Sequence, residues 1–150
     1  MLDLACGSGR HVRLLAGLGH PVVAVDRNAE ALAGLRGLPG VETRALDLEA
    51  ETWPLIGESF AGIVVTNYLW RAHLPDVLDC LAPGGVLIYE TFMHGNAAYG
   101  KPSNPEFLLR SGELREIART AGLQELAFAE GYSDQPWPAV RQAIVARRAV

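Results

Sequence analysis

Three groups of residues in this chain have the types and spacing to hold one ligand between them. The first is Leu2-Asp3-Leu4-Ala5-Cys6-Gly7-Ser8-Gly9, an apolar run that ends in a glycine turn and leads into a helical pattern. Glycines in such a turn reach positive φ and let a ligand come close to the backbone. In an open α/β sheet the turn also lies at the carboxyl end of the strands, where ligands bind. The second group is Asp26, which ends the run Val22–Val25 and stands 17 residues after Gly9. An acid there can accept hydrogen bonds from both hydroxyls of a ribose. The third is Asp47, in Leu46-Asp47-Leu48 and 21 residues after Asp26, where a carboxylate can accept from an adenine amino group. Each feature also has an ordinary structural reading, as a tight turn, a capping aspartate or a solvated loop acid. The three-part spacing is what raises them above it.

Other candidates follow the fourth and fifth apolar runs. Tyr68, Arg71 and His73 come after Phe60–Thr66. His73 has the chemistry of a general base and Arg71 that of a carboxylate anchor, although helix-start packing and surface charge explain both as well. Glu90 and Tyr99 follow Val86 into a loop rich in Gly, Asn and Pro and are expected on the acceptor side. Cys6 reads as a small turn residue. No pair of the four histidines has metal-ligand spacing, so no metal site is expected. Lys101 is the only lysine and no phosphate-binding G-x-x-x-x-G-K-[ST] sequence occurs.

The elements that must position these residues alternate between strand and helix. Met1–Ala5, Val22–Val25, Val41–Leu46, Phe60–Thr66 and Val86–Glu90 read as strands. Helices are expected around Val12–Leu18, from the cap Asn28 through Leu35, over Pro75–Leu81, and after Ser111 as a cap. Leu126–Ala129 and Val140–Ala146 close the chain as two strands with no helix between them. The expected fold is therefore α/β: a single, doubly wound, Rossmann-like and mostly parallel sheet with one antiparallel terminal strand.

Composition narrows the function. The chain has 150 residues, 49% of them apolar, and a net charge of −4 with no basic run. Binding to nucleic acid or an anionic membrane through a positive field is not expected. No apolar run approaches bilayer length, and no secretory signal or disulfide pattern is present, which makes a cytoplasmic location the expectation.

Asp3-Leu4-Ala5-Cys6-Gly7-Ser8-Gly9 resembles motif I of the class I S-adenosylmethionine-dependent methyltransferases, with Asp26 and Asp47 matching that family's ribose and adenine acids. Thr66-Asn67-Tyr68 resembles the segment after strand four, and Pro83-Gly84-Gly85 the turn before strand five. Phe107–Leu114 is similar to the small bacterial tellurite-resistance-like branch. The resemblance covers most of residues 1–150 and implies S-adenosyl-L-methionine as cofactor. It implies cofactor contacts from Asp3, Ala5, Cys6, Gly7, Gly9, Asp26, Arg27, Asp47, Leu48 and Asn67. A small-molecule acceptor is expected, because no basic face suits a nucleic acid and Thr66-Asn67-Tyr68-Leu69 lacks the prolines of an amino-methylating Asn/Asp-Pro-Pro-aromatic motif. The family usually carries some tens of residues ahead of motif I as a cap. A chain starting at Met1 is expected to lack that cap, to bind the cofactor weakly and to cover exposed apolar surface as a homodimer. Two other readings stay open. One is a nicotinamide-dependent oxidoreductase, disfavoured by Val12 where close packing on a pyrophosphate wants Gly or Ala. The other is a methyltransferase-like binding or regulatory module.

Overall fold

The computed structural model describes residues 1–150, with a seven-stranded sheet in the order β3-β2-β1-β4-β5-β7-β6. β1 (Leu2–Leu4) is three residues long and lies between β2 (Val22–Asp26) and β4 (Phe60–Thr66), parallel to both. β3 (Val41–Ala45) extends the parallel set on one side and β5 (Leu81–Phe92) on the other. β7 (Ala139–Arg147) pairs antiparallel with both β5 and β6 (Gln124–Ser133). The single antiparallel strand is thus the last in the chain but lies inside the sheet, and β6 forms the edge. A short hairpin allows this arrangement, because β7 folds back along β6 and inserts beside β5.

Helices cover the sheet from both sides. α1 (Arg10–Gly17) and α2 (Ala29–Ala33) pack Val12, Leu32 and Leu35 onto Val22 and Ala24. α3 (Leu74–Asp79) and α4 (Glu113–Thr120) cover the other face, where Val77, Leu78, Leu114 and Ala118 meet Ile63, Val65, Leu87 and Ile144. Val12 is fully buried, which accounts for a branched apolar residue where a dinucleotide fold wants a smaller one. Asn28 caps α2 as expected, accepting from the Glu30 and Ala31 N–H groups. On the α1–α2 side, Leu14, Leu18 and Ile88 are exposed. No helix is long and apolar enough to cross a membrane.

Several boundaries differ from the sequence reading. The helix expected over Pro75–Leu81 ends at Asp79, because Leu81 already pairs with Phe60 in the sheet. β5 accordingly starts at Leu81, five residues before the expected Val86, and runs to Phe92 on its β7 pairing. The irregular loop after β5 contains two short 3-10 turns, Asn96–Ala98 and Pro105–Phe107.

Ser111 does not cap α4. The N-cap position is Gly112 in the left-handed region, and the Ser111 hydroxyl donates to Glu130 Oε1 instead, at 2.7 Å. The first turn is satisfied by remote side chains: the Gly112 N–H donates to Glu130 Oε2 at 2.9 Å and the Leu114 N–H to Gln142 Oε1 at 2.7 Å. Gln142 is fully buried, and its Nε2 donates to the Arg110 carbonyl and to Glu130. β6 and β7 therefore hold the start of α4. Removing the amide leaves the buried Leu114 N–H unpaired and takes one donor from Glu130, while the Arg110 carbonyl keeps the Glu113 N–H. Gln142→Ala is expected to lower unfolding free energy by about 1–3 kcal/mol, measured by urea denaturation; a loss within error of zero would contradict this capping role.

Candidate functional site

The strand order reverses between β1 and β4, and the crevice above their carboxyl ends is the place such sheets bind ligands. A cavity of about 220 Å³ opens there, lined by Ala5, Asp26, Arg27, Asp47, Leu48, Glu49 and Tyr68. Each wall comes from the end of a strand: Ala5 follows β1, Asp26 closes β2, Asp47 follows β3 and Tyr68 follows β4. A second cavity of about 230 Å³ adjoins it and shares Glu49 and Tyr68. Its other walls are Asn67, Leu69, Thr91, Phe92, Pro102 and Phe107.

The glycine turn is fixed from β2. The Gly7 N–H donates to Asp26 Oδ2 at 2.8 Å and the Asn28 N–H donates to Asp26 Oδ1 at 2.9 Å. Each oxygen keeps a lone pair for a ligand hydroxyl. Gly7 (φ +57°) has no atom within 4 Å of where a Cβ would stand, so its open side is available to a ligand. Gly9 (φ +88°) also meets a packing need: a Cβ there would lie 2.5 Å from the Leu35 side chain, just after α2. Ala5 and Asn67 both have positive φ without being glycine, an unfavourable backbone state at the two strand ends that flank the crevice. Asp47 is exposed and accepts the Glu49 N–H at 2.9 Å, a local turn that presents both acids to the cavity.

Asp3 lies beneath the turn. It is 1% exposed, and neither carboxylate oxygen has a hydrogen-bond partner. Burial pushes its pKa up to about 7, opposed by the nearby Val12 backbone N–H, which is outside good hydrogen-bond geometry, and by the Arg10 charge, with the Asp26 charge adding. Cys6 is no nucleophile: burial, then the charges of Asp3 and Asp26, push its thiol up to about 12. Burial also raises the Tyr68 phenol, with Glu49 and Asp47 adding, so that hydroxyl stays protonated.

The acceptor-side candidates separate. Tyr68 lines both cavities. Arg71 does not reach either; it donates to both Glu113 oxygens at 2.8 and 2.9 Å and to the Glu106 and Leu108 carbonyls at 2.7 and 2.8 Å. His73 has both ring nitrogens engaged at 2.7 Å, one with the Ala50 carbonyl and one with Asp76, and these partners raise its pKa in that order. Glu90 is exposed on the α1 side, and Tyr99 stacks on Tyr132 with ring centroids 5.0 Å apart. Neither lines a cavity in the crevice. Glu49 is the residue that sequence reasoning missed. Its only signal is its place two residues after Asp47, in the turn that Asp47 itself forms. The largest cavity, about 540 Å³, lies elsewhere, between α3 and α4. Its Arg71 and Glu113 neutralise each other, and it does not touch the glycine turn.

Asp3 makes the site costly to the fold. Its pKa is raised from 3.8 to about 7 on folding, so the unfolded chain loses this proton first as pH rises. Its contribution is favourable below the unfolded value and is lost as pH climbs to the folded one. The gap corresponds to at most about 4 kcal/mol. Asp3→Asn removes the charge, so the variant is expected to gain on wild type between pH 4 and pH 8, with the melting-temperature difference growing in its favour. A difference that does not change with pH would contradict a buried, unpaired carboxyl.

Comparisons with known proteins bear on the family and the fold. Residues 1–85 match the family model described as "Methyltransferase domain", a span that contains the glycine turn, Asp26, Asp47 and Asn67. A tRNA U34 carboxymethyltransferase of Pseudomonas aeruginosa is 31% identical over 144 residues, covering 83% of this chain and 45% of that protein. One from Klebsiella pneumoniae is 35% identical over 104 residues, covering 62% of this chain and 31% of its own length. The chain thus spans less than half the length of these curated relatives. In fold it resembles TehB from Haemophilus influenzae, with a TM-score of 0.76, 22% identity and coverage of 98% of this chain and 57% of that one. A TehB-like methyltransferase from Corynebacterium glutamicum gives 0.68, 20% identity and coverage of 98% and 78%. These matches exclude the nicotinamide oxidoreductase reading, and with more than half the chain under one family model, this protein belongs to the methyltransferase-domain family, whose cofactor is S-adenosylmethionine.

Proposed function

We propose that this chain catalyses methyl transfer from S-adenosylmethionine to a small-molecule acceptor. The observation that carries the reading is the pair of adjoining cavities that share Glu49 and Tyr68 at the switch point of the sheet. One suits a nucleoside with a charged tail, and the other suits the group to be methylated.

The residues fit the cofactor. Asp26 offers carboxylate lone pairs to ribose hydroxyls while it holds the turn. Asp47 and the buried Leu48 offer an acceptor and an apolar wall to adenine. The open side of Gly7 admits the amino-acid tail, and the unpaired carboxylate of Asp3 supplies the negative field its ammonium needs. When bound, the cofactor supplies an electrophilic methyl group on a sulfonium. The chain's own part is to hold both partners in line and to exclude water, the source of much of the acceleration in such displacements. Arg71 acts in that positioning: by gripping the Glu106 and Leu108 carbonyls it fixes the segment that carries Phe107, a wall of the second cavity.

A tRNA acceptor is the second reading, favoured by what the Pseudomonas and Klebsiella relatives are named for. Carboxymethyl transfer would bring a carboxylate next to the moving carbon, and a cation is the usual partner for it. The acceptor cavity walls here carry a single charged side chain, Glu49, of the wrong sign. That supports a bare methyl group, and a small acceptor ahead of tRNA.

Titration calorimetry with S-adenosylhomocysteine tests the site. Wild type is expected to bind, and Asp26→Ala to bind about 1.5–3 kcal/mol more weakly, the scale of a hydrogen bond to a charged group. Gly7→Val strains the turn, because φ is +57° there, and is expected to lose binding while the circular dichroism spectrum stays largely native, the fault being local to the turn. Unchanged affinity in both folded variants would place the ligand elsewhere. Labelled S-adenosylmethionine that methylates tRNA but no small molecule would decide for the second reading.

A further inference from the structure

The walls of the second cavity say which acceptors it serves. Its one charged wall residue is Glu49, and Asp47 stands just beyond in the neighbouring cavity. Arg27 lines the neighbouring cavity beside Asp47, and two other arginines nearby are engaged by the protein itself. Arg71 is spent on Glu113 and two carbonyls. Arg141 is buried behind the wall, 5.4 Å from the Phe92 ring and 5.0 Å from the Trp137 ring, and it donates to the Gln135 carbonyl. Phe107 and Tyr68 give the cavity aromatic walls, which favour a cation or an aryl ring.

Proton transfer points to the same residue. Burial keeps Tyr68 protonated and both nitrogens of His73 are engaged, so Glu49 is the wall group that can take a proton. An amine arrives largely as its ammonium and must lose one proton before its lone pair attacks, and a carboxylate beside it both holds that cation and relays the proton toward water.

We propose that the acceptor of this site is an amine, methylated on nitrogen with Glu49 facing the charge that develops there. The inference rests on the methyltransferase reading above. In the step, the nitrogen lone pair forms the new C–N bond, and the C–S bond breaks with its electrons left on the sulfur, which becomes a neutral thioether. The nitrogen becomes cationic and gives its proton to Glu49 or water. A fixed carboxylate beside that nitrogen is worth most as the charge appears.

The test titrates three probes of one shape into the protein saturated with S-adenosylhomocysteine: 2-phenylethylamine, 2-phenylethanol and 3-phenylpropanoate. The amine is expected to bind tightest and the acid weakest. In Glu49→Gln the preference for amine over alcohol is expected to shrink by about fivefold, the scale of one exposed charge pair. Glu49→Lys is expected to invert the order of amine and acid. Because each variant is read as a ratio between probes, a general loss of affinity does not imitate the effect. An acid or alcohol that binds wild type as well as the amine, or uridine binding in place of all three, would overturn the proposal. Failure of S-adenosylhomocysteine itself to bind would instead overturn the methyltransferase reading beneath it.

Discussion

Asp26 accepts two backbone N–H groups at once, one from Gly7 in the turn after β1 and one from Asn28 at the cap of α2. That double acceptance joins the two strand ends that form the floor of the crevice. Hydrogen bonds to a carboxylate are about twice as strong as neutral ones, so one side chain sets the turn and presents the remaining lone pairs outward. β1 is only three residues long, and its alignment depends on β2 and β4 on either side. With the turn fixed, Ala5 falls opposite Tyr68, and the cavity between them takes its shape.

The chemistry of the crevice is mostly anionic. Asp3, Asp26, Asp47 and Glu49 lie in or beneath it, and Arg27 is the one cation lining the first cavity. Such a field would repel a dinucleotide's pyrophosphate and suits a ligand with a sulfonium and an ammonium. The burial of Asp3 without a partner fits the same logic. That burial costs the fold stability as pH rises toward the raised pKa of about 7. The cationic side chains nearby do structural work: Arg71 clamps the loop that carries Phe107, and Arg141 lies between two aromatic rings.

Much of this was legible in the sequence because it depended on local signals. Strand runs with turn residues at their ends located Ala5, Asp26, Asp47 and Tyr68, and parallel strands bring such ends to one side of the sheet. Where the outcome depended on distant partners, sequence reasoning failed. Ser111 has the type and position of a helix cap, yet Glu130 and Gln142, 19 and 31 residues further along, took over the first turn of α4. Arg71 and His73 stayed open between ligand groups and helix-start packing, because the partners that decide for packing, Glu113 and the Ala50 carbonyl, are far off in the chain. The packing demand on Gly9 was likewise invisible, because Leu35, which a Cβ there would meet, is 26 residues away. Glu49 carried no pattern of its own, and only the turn built by Asp47 brings it between the two cavities.

The central claim is that the cofactor lies across the carboxyl ends of β1 to β4. A crystal structure of the chain with S-adenosylhomocysteine tests it directly. The account predicts ribose density against Asp26, adenine between Asp47 and Leu48, and the sulfur pointing toward Tyr68 and Asn67. Density in the cavity between α3 and α4, with the crevice empty, would contradict it.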